Sequence, residues 1–303
     1  MLVRRLRGKA VFLVLGSAGL RWPAGAKPDA VTERRVWAEA VRRYALHMQG
    51  LGCGYDDWAF YLKDEPGLGG PDAYYDAYVE LVRKVKAADP RARIYANPAG
   101  GARADVLQPI KDLIDIWSPD LHLVREQPEK LGQIFRRAKD YWHYEAPADQ
   151  RNLDPLGFYR VKPWVAFELG MNGGGYWTYY YQNLWLPDPA VAAEYGVVYL
   201  TGKGPVTTKR WEASRDGIED YELLSLLRES AGRAKSVTAK EALALLDEAV
   251  AFVTRGQERV SDISRQLHPY TPDYGKWMEY RDRLIRMQIR VSRNHDAALS
   301  DGR

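Results

Sequence analysis

Two adjacent carboxylates, Asp64 and Glu65, are the residues of this chain best placed to do chemistry. They follow an apolar run over residues 58–62, which predicts a buried strand, and they precede Pro66 and Gly67, which predict the turn that ends it. Two ionised carboxylates in sequence repel each other, and the carboxyl end of a strand is where a (β/α) barrel builds its active site. We therefore predict a functional role for the pair. The alternative is that Asp64 caps the turn and Glu65 pairs with a surface lysine.

The elements that would position this pair alternate between strand and helix. The sequence predicts strands at residues 11–15, 58–62, 93–96, 113–117, 141–144, 175–179 and 197–200, and helices at residues 32–49, 73–88 and 127–139. This alternation is typical of a parallel α/β sheet, and neither a GxGxxG fingerprint nor a Walker loop favours a nucleotide-binding version. We therefore predict a (β/α)8-type (TIM) barrel, whose active site lies at the carboxyl ends of the strands.

The predicted barrel is short of strands, and its C-terminal part is helical. A closed barrel of this type needs eight strands, so we predict that it is incomplete at its N-terminus. From about residue 207 the pattern predicts helices at residues 209–229, 238–254 and 274–292. We assign residues 1–230 to the barrel catalytic region and residues 231–303 to a helical extension packed on it.

The composition is that of a globular protein that prefers Trp and Tyr to Phe. The 303-residue chain has 10 Trp and 20 Tyr but only 6 Phe. Trp and Tyr combine a flat apolar face with a polar edge, which suits sugar binding, although most of these rings are expected to be partly buried structural residues. The net charge of +4 is spread along the chain without a polybasic block, so nucleic-acid binding is not predicted.

The first 26 residues allow two interpretations. A basic stretch over residues 1–9, an apolar stretch over 10–20 and small residues at 24–26 have the order of a signal peptide, which would make the protein secreted or periplasmic. The alternative, which we favour, is a barrel strand followed by a glycine-containing loop, in a cytoplasmic protein. No segment reaches the roughly 18 apolar residues that a membrane-spanning helix needs.

Three stretches of the chain carry a resemblance to a known family. They are WAFYLKDEPG at residues 58–67, IDIWSP at residues 114–119 and WEASRDGIEDYELL at residues 211–224. Over roughly residues 10–230, the chain resembles the catalytic region of glycoside hydrolase family 123, also called domain of unknown function 4091. Enzymes of that family are similar to exo-acting β-N-acetylgalactosaminidases, with a β-sandwich before a (β/α)8 barrel. The resemblance places the start of this chain near the third barrel strand, which would account for the strand deficit.

The resemblance implies a retaining, substrate-assisted reaction on a terminal β-linked N-acetylgalactosamine. In that reaction the 2-acetamido oxygen of the sugar attacks the anomeric carbon. On the family's pattern Asp64 orients the acetamido group, and Glu65 is the general acid/base. In a regular strand the two side chains would face opposite sides, so the strand must end or distort at Asp64, which Pro66 allows.

The other predicted strand ends supply candidate substrate-binding residues, namely Asn97, Trp117, Asp120, Trp142, Tyr144, Glu145, Trp177 and Tyr179. A tyrosine that donates to the acetamido carbonyl is expected, and Tyr144 and Tyr179 are its candidates. For each aromatic taken singly, core packing is an equally good interpretation. No metal or other cofactor is predicted, because His122 and His143 lack a metal-like spacing. The charged residues of the stretch at 211–224 fall at helical spacing, so we predict that they support the barrel.

Two other functions stay open at this point. A conventional retaining glycosidase would use Glu65 as acid/base and Glu145 as nucleophile, with the two carboxylates roughly 5–5.5 Å apart. A non-catalytic sugar-binding remnant would instead show an open barrel, with Asp64 and Glu65 exposed to water. In each case the predicted partner is a glycan, and an incomplete barrel would allow homo-oligomerisation through its exposed sheet edge.

Overall fold

The computed structural model describes residues 11–15, 28–67, 72–99, 101–126, 129, 131–136, 138–145, 153–176, 178–180, 196–234, 236–256 and 273–300. The chain is a mixed α/β protein that divides into two compact units, Met1–Tyr144 and Glu145–Arg303. The boundary predicted at residue 230 lies inside the helix Lys209–Arg233, whereas the two units divide between Tyr144 and Glu145. The assignment of residues 1–230 to a barrel catalytic region therefore stays a prediction.

Parallel strands in chain order form the sheet of the first unit. Five are described: β1 (Phe12–Leu15), β2 (Trp58–Tyr61), β3 (Ile94–Ala96), β4 (Ile116–Trp117) and β5 (Asp140–Glu145). The sheet curls like half of a barrel. The helices between the strands are α1 (Ala30–Gly50), α2 (Asp72–Ala88), α3 (Ala104–Leu107), α4 (Leu121–Glu126) and α5 (Gly132–Phe135). The predicted parallel α/β architecture is confirmed in this coarse form.

Helix α1 begins at a side-chain cap and packs against α2. Asp29 accepts hydrogen bonds from the backbone N–H groups of Thr32, at 2.8 Å, and Val31, at 2.9 Å. The bonds to Thr32 hold the pKa of the Asp29 carboxyl below its usual value. Buried apolar residues then recur at helical spacing, as at Val41 and Ala45. The helices predicted at residues 32–49 and 73–88 are confirmed.

The two faces of the sheet have different partners, because successive side chains of a strand point to opposite sides. On the face that meets the helices, the Phe60 ring lies 5.5 Å from the Tyr44 ring of α1. On the same face, Trp117 lies 5.1 Å from Phe135 of α5. The opposite face, which we call the inner face, carries a cluster of Ala59, Tyr61, Tyr95, Ile116 and Trp142. One face of the sheet thus packs against the helices, and the inner face carries Tyr and Trp rings, which have polar groups at their edges.

Ion pairs hold the amino ends of the strands. The buried Arg93, which precedes β3, donates to the backbone oxygen of Asp56 at 2.8 Å and pairs with Asp140 at the start of β5. Asp115, which precedes β4, pairs with Lys86 of α2 at 2.7 Å. These contacts fix the strands at the edge opposite to the one where Asp64 and Glu65 follow β2.

The second unit is mainly helical. A π-helical turn (Pro155–Arg160) leads into α6 (Val161–Glu168), β6 (Gly173–Tyr176) and an antiparallel hairpin of β7 (Val198–Thr201) and β8 (Gly204–Thr207). The helices α7 (Lys209–Arg233), α8 (Val237–Thr254) and α9 (Tyr274–Ser300) pack on one another. The helices predicted for this region are confirmed and are longer than predicted. None of the described helices is both long and apolar enough to cross a membrane.

Three predicted elements differ from the structure. Within residues 127–139, where the sequence predicted one helix, the described residues include only the short helix α5, which buries Ile134 and Phe135, and α4 ends before this range. The strand predicted at residues 197–200 pairs antiparallel with β8 across the loop at residues 202–203, so it does not extend the parallel sheet. The strand predicted at residues 175–179 is β6, which ends at Tyr176.

Asp220 connects several elements of the second unit and belongs to the stretch at residues 211–224 that carried the family resemblance. Its carboxylate is fully buried and accepts hydrogen bonds from Nε of Arg160 at 2.8 Å, Nε1 of Trp164 at 3.1 Å and Nε of Arg281 at 2.7 Å. One carboxylate therefore joins the π-helical turn, α6, α7 and α9. Asp220 of the charged stretch therefore has a packing role within this unit, whereas Arg215 pairs with Glu212 and Glu219 at the surface.

Candidate functional site

The two carboxylates follow a strand that stops before it reaches them. Strand β2 ends at Tyr61, and the chain bends over residues 63–65 before it turns at Pro66. Glu65 has a φ of 43°, and among the described residues it is the one non-glycine residue with positive φ. The left-handed conformation redirects the chain between Asp64 and Glu65. Strand β2 therefore ends before Asp64, as the sequence analysis expected if both carboxylates are to serve one site.

Asp64 is held through one of its two oxygens. The Tyr61 hydroxyl donates to Oδ1 of Asp64, and Nδ2 of Asn97 donates to the same oxygen at 3.1 Å. Nδ2 of Asn97 also lies 2.9 Å from the Tyr61 oxygen, so the three groups form a closed triangle. Within the described residues Oδ2 of Asp64 accepts no hydrogen bond, and Asp64 is exposed. This oxygen is therefore available to a ligand that donates a hydrogen bond.

Glu65 is held by different partners. The Tyr144 hydroxyl, at the end of β5, donates to Oε1 of Glu65 at 2.5 Å. The backbone N–H of Glu65 donates to Oδ1 of Asn97 at 3.2 Å. The two neighbouring carboxylates are therefore held by tyrosines of different strands and can serve different roles.

Both tyrosines of the site keep their protons at neutral pH. Burial, together with the hydrogen bond to Glu65 and the negative charges nearby, raises the pKa of Tyr144 well above the ordinary value. Burial and the hydrogen bond to Asp64 raise the pKa of Tyr61 in the same direction. Each hydroxyl therefore acts as a donor to its carboxylate. Tyr144 was a candidate donor to the acetamido carbonyl, and in this structure its proton is directed at Glu65.

Asp120 adds a third carboxylate to the same edge of the sheet. It bridges in parallel to Tyr144 just beyond β4, and its N–H donates to the Pro98 oxygen at 2.9 Å. Its charge contributes to the raised pKa of Tyr144. The strand ends therefore bring Asp64, Glu65, Asn97, Asp120 and Tyr144 together, as predicted for the carboxyl edge of a parallel sheet.

The rings of Tyr61, Tyr95 and Trp142 form a row on the inner face of the sheet. The Tyr61 and Tyr95 rings are 5.1 Å apart and nearly perpendicular, and the Trp142 ring lies 6.2 Å from that of Tyr95. Tyr95 is buried, whereas Tyr61 and Trp142 are half-buried. Burial raises the pKa of Tyr95 to about 12, and the charge of Asp64 contributes. The row offers flat apolar surface of the kind that sugar rings use.

One predicted substrate-binding residue is wrong. Trp117 is fully buried on the helix-facing side of β4, where it packs on Phe135, and its Nε1 donates to the Lys111 oxygen at 3.4 Å. A side chain sealed in this core has no surface to offer a ligand. The IDIWSP stretch is therefore a packing element at this position.

The remaining predicted residues lie in the second unit. Glu145, at the last position of β5, forms an ion pair with Lys162. Tyr179 is 47% exposed, and its ring packs edge-on against Trp211 at 5.3 Å. Trp177 lies outside the described residues, as does nearly all of the segment interpreted as a signal peptide or a strand and loop.

Sequence reasoning missed Tyr61 and Tyr95 as site residues. Both were inside predicted strands, where an aromatic residue is ordinary core material. The available signal was alternation: Tyr61 shares a face with Ala59, and Tyr95 shares a face with Asn97, which was already a candidate. What the sequence lacked was an indication of which face was the inner one.

Among the described residues, no group of three or more His, Cys, Asp or Glu side chains is arranged to hold a metal ion. No protein-family model matches the chain, and no curated protein matches it at a significant level. The resemblance to glycoside hydrolase family 123 therefore rests on the three sequence stretches, two of which contribute packing residues and one of which contains the carboxylate pair.

Proposed function

We propose that the protein is a retaining, substrate-assisted exo-β-N-acetylgalactosaminidase built on an incomplete (β/α)8-type barrel. The observation that supports this most directly is that the two adjacent carboxylates are held by different partners. Asp64 is oriented through one oxygen by Tyr61 and Asn97, and Glu65 is bound by Tyr144. Both lie at the carboxyl edge of a parallel sheet, where barrel enzymes place their catalytic residues.

The proposed reaction gives each carboxylate a separate role. The acetamido N–H of the sugar donates to Oδ2 of Asp64, which makes the acetamido oxygen a better nucleophile towards the anomeric carbon. Glu65 gives its proton to the glycosidic oxygen as the bond to the aglycone breaks. It then takes a proton from the water that opens the cyclic intermediate, and two displacements retain the configuration.

Hydrolysis of 4-nitrophenyl β-N-acetylgalactosaminide by the 303-residue chain tests the proposal. We expect Asp64→Asn and Glu65→Gln each to lower kcat/KM at least about 100-fold, since general acid–base groups contribute about that much. Glu80→Gln is the matched control, because Glu80 is an exposed carboxylate of α2 that pairs with Lys84. The corresponding galactoside without the acetamido group should not be cleaved.

A leaving group that needs no proton separates the two roles. On the 2,4-dinitrophenyl glycoside, Glu65→Gln should recover most of the rate of the first step, whereas Asp64→Asn should stay slow. Equal losses on both substrates would contradict the assignment of Glu65 as the acid. If the folded wild-type protein cleaves neither N-acetyl substrate, the proposed activity is wrong.

The two-carboxylate mechanism has less support. It needs Glu145 as the nucleophile, but Glu145 forms an ion pair with Lys162. Along β5, alternation also directs its side chain to the face opposite that of Tyr144. Cleavage of the N-acetyl sugar and the plain galactoside at similar rates would favour this mechanism over the first.

One observation favours sugar binding without catalysis as a second candidate. Asp64 is exposed, as expected for a site that is open to water. The half-buried Trp142 on the inner face would then supply the stacking surface. Calorimetric titration with N-acetylgalactosamine would show binding that Trp142→Ala weakens, while the wild-type protein hydrolyses no glycoside.

A further inference from the structure

Asn97 occupies a central position in the site that substrate binding alone does not explain. It lies just after β3, is 4% exposed, and uses both ends of its carboxamide on protein groups. Oδ1 accepts from the backbone N–H of Glu65 at 3.2 Å, and Nδ2 donates to Asp64 at 3.1 Å and to Tyr61 at 2.9 Å. Asn97 therefore contacts the backbone of one carboxylate residue and the side chain of the other.

The backbone that Asn97 holds is a strained one. Glu65 has a Cβ and a positive φ, and the residue that follows it is Pro66. A residue before proline is normally pushed into extended conformations, and the left-handed region is disfavoured for any residue with a Cβ. Such a conformation persists only where surrounding contacts hold it. The hydrogen bond to Oδ1 of Asn97 is a direct contact of this kind.

We infer that Asn97 is a positioning residue that fixes the left-handed backbone of Glu65 and, with Tyr61, the orientation of the Asp64 carboxylate. Its effect on turnover rests on the proposed function. This positioning role replaces the interpretation of Asn97 as a substrate contact, since the polar atoms of the Asn97 side chain are already bound to the protein. A carboxamide suits this position because the Glu65 N–H needs an acceptor while the Asp64 oxygen needs a donor, and the oxygen and nitrogen of one carboxamide supply both from separate atoms.

Two substitutions separate these two halves of the carboxamide. Asn97→Ala removes both, whereas Asn97→Asp keeps an acceptor for the Glu65 N–H but places a second carboxylate against Asp64. Ser118→Ala is the matched control, because Ser118 is a buried polar residue that follows β4 as Asn97 follows β3. Tyr61→Phe removes only the hydroxyl that links Asn97 to Asp64.

Amide hydrogen exchange of Glu65, measured by NMR on the full chain, shows how firmly Asn97 binds the Glu65 N–H, and it needs no measurement of activity. We expect Asn97→Ala to speed the exchange at least about tenfold, because the N–H loses its acceptor. Asn97→Asp, Tyr61→Phe and Ser118→Ala should leave the exchange rate within about threefold of wild type. Unchanged exchange in Asn97→Ala would overturn the inference.

Kinetics on the 4-nitrophenyl substrate report the effect on the reaction. Asn97→Ala, Asn97→Asp and Tyr61→Phe should lower kcat about 10- to 100-fold, as expected for misplaced catalytic groups, with KM changed less than about threefold. In an Asp64→Asn background, Asn97→Asp should cost less than about threefold more, because its effect passes through Asp64. Wild-type kcat in Asn97→Asp, or a full additional loss in that background, would overturn the inference.

Amide exchange and kinetics together distinguish a failure of the inference about Asn97 from a failure of the proposed function. If the wild-type chain hydrolyses nothing, the proposed function fails, and the exchange rate of the Glu65 amide still decides whether Asn97 holds that backbone. If Asn97→Ala does not fold, Asn97→Asp and Tyr61→Phe carry the kinetic test. Loss of thermal stability with unchanged kcat would mean that Asn97 is only structural.

Discussion

At the scale of single residues, Glu65 combines features that oppose each other. A positive φ costs a residue with a Cβ about 1–2 kcal/mol, and the following Pro66 restricts it further. The turn continues through Gly67, where an added Cβ would lie 2.9 Å from Cα of Ala102 and closer still to the Tyr75 hydroxyl. The chain therefore places an exposed carboxylate residue, a strained residue and a tightly packed turn in immediate succession. Strain of this kind is typical of functional sites.

Tyr95 allows a prediction from its titration. Burial raises the pKa of Tyr95 to about 12, whereas in the unfolded chain it ionises near 10. Between these values only the unfolded state releases the proton, so the free energy of unfolding should fall as pH rises from 10 towards 12. The contribution is full below pH 10 and amounts to about 2–3 kcal/mol.

Tyr95→Phe isolates this contribution from those of the other tyrosines. The difference in the free energy of unfolding between wild type and variant, from urea titrations at pH 8, 9, 10 and 11, should be constant at first and then shrink above pH 10. A difference that does not change up to pH 11 would show that the Tyr95 hydroxyl is not protected from ionisation.

At the scale of elements, strand alternation assigns neighbouring residues to different tasks. In β2 the Phe60 ring packs against Tyr44 of α1, while the next residue, Tyr61, turns to the inner face and binds Asp64. In β5 the same alternation puts Trp142 and Tyr144 on the inner face. Short strands can therefore supply both a core and a site.

Helix α7 shows a second principle at this scale, the close approach of backbones at a glycine. A Cβ at Gly217 would lie 2.7 Å from the Arg160 oxygen and 3.0 Å from Cγ of Pro163, so α7 and the π-helical turn must separate to admit it. We expect Gly217→Ala to lower the free energy of unfolding by about 1–3 kcal/mol.

Gly232→Ala is the matched control for Gly217→Ala in the same helix. Nothing lies within 4 Å of a Cβ at Gly232, so alanine should be neutral or stabilise the helix by up to about 1 kcal/mol. Urea unfolding of both variants measures the difference. Equal effects would mean that helix propensity, and not the contact with Arg160, determines the outcome.

At the scale of the whole molecule, the sequence predicted the repeating elements well and their pairing less well. Residues 32–49 and 58–62 carry local signals, namely an amphipathic helical pattern and an apolar run before Pro-Gly, and both elements are present. The strand at residues 197–200 was also predicted, but its partner depends on the glycines that flank Lys203. Pairing is a non-local property that alternation alone does not determine.

The site was predictable to the extent that strand ends define it. Asn97 and Tyr144 were found because the residues that follow parallel strands meet at one edge. Trp117 was misplaced because the same rule does not say which face a residue takes, and one position separates a core tryptophan from the inner face. The left-handed conformation of Glu65 had no sequence signal, since Pro66 disfavours it and the hydrogen bond that holds it comes from Asn97, just after β3.

Because the chain divides into two compact units, we expect a local defect to stay within the unit that contains it. Asp220→Asn leaves the guanidinium groups of Arg160 and Arg281 without their buried counter-charge, a loss that typically costs about 3–5 kcal/mol. Since contacts cluster within each unit, hydrogen exchange by mass spectrometry should rise in peptides from residues 153–300 and stay unchanged in those from residues 28–144. The neighbouring Glu219→Gln, which breaks only an exposed pair with Arg215, should change neither set. A uniform rise across both sets would mean that the chain unfolds as one cooperative body, and that the carboxylate pair depends for its geometry on a network in the other unit.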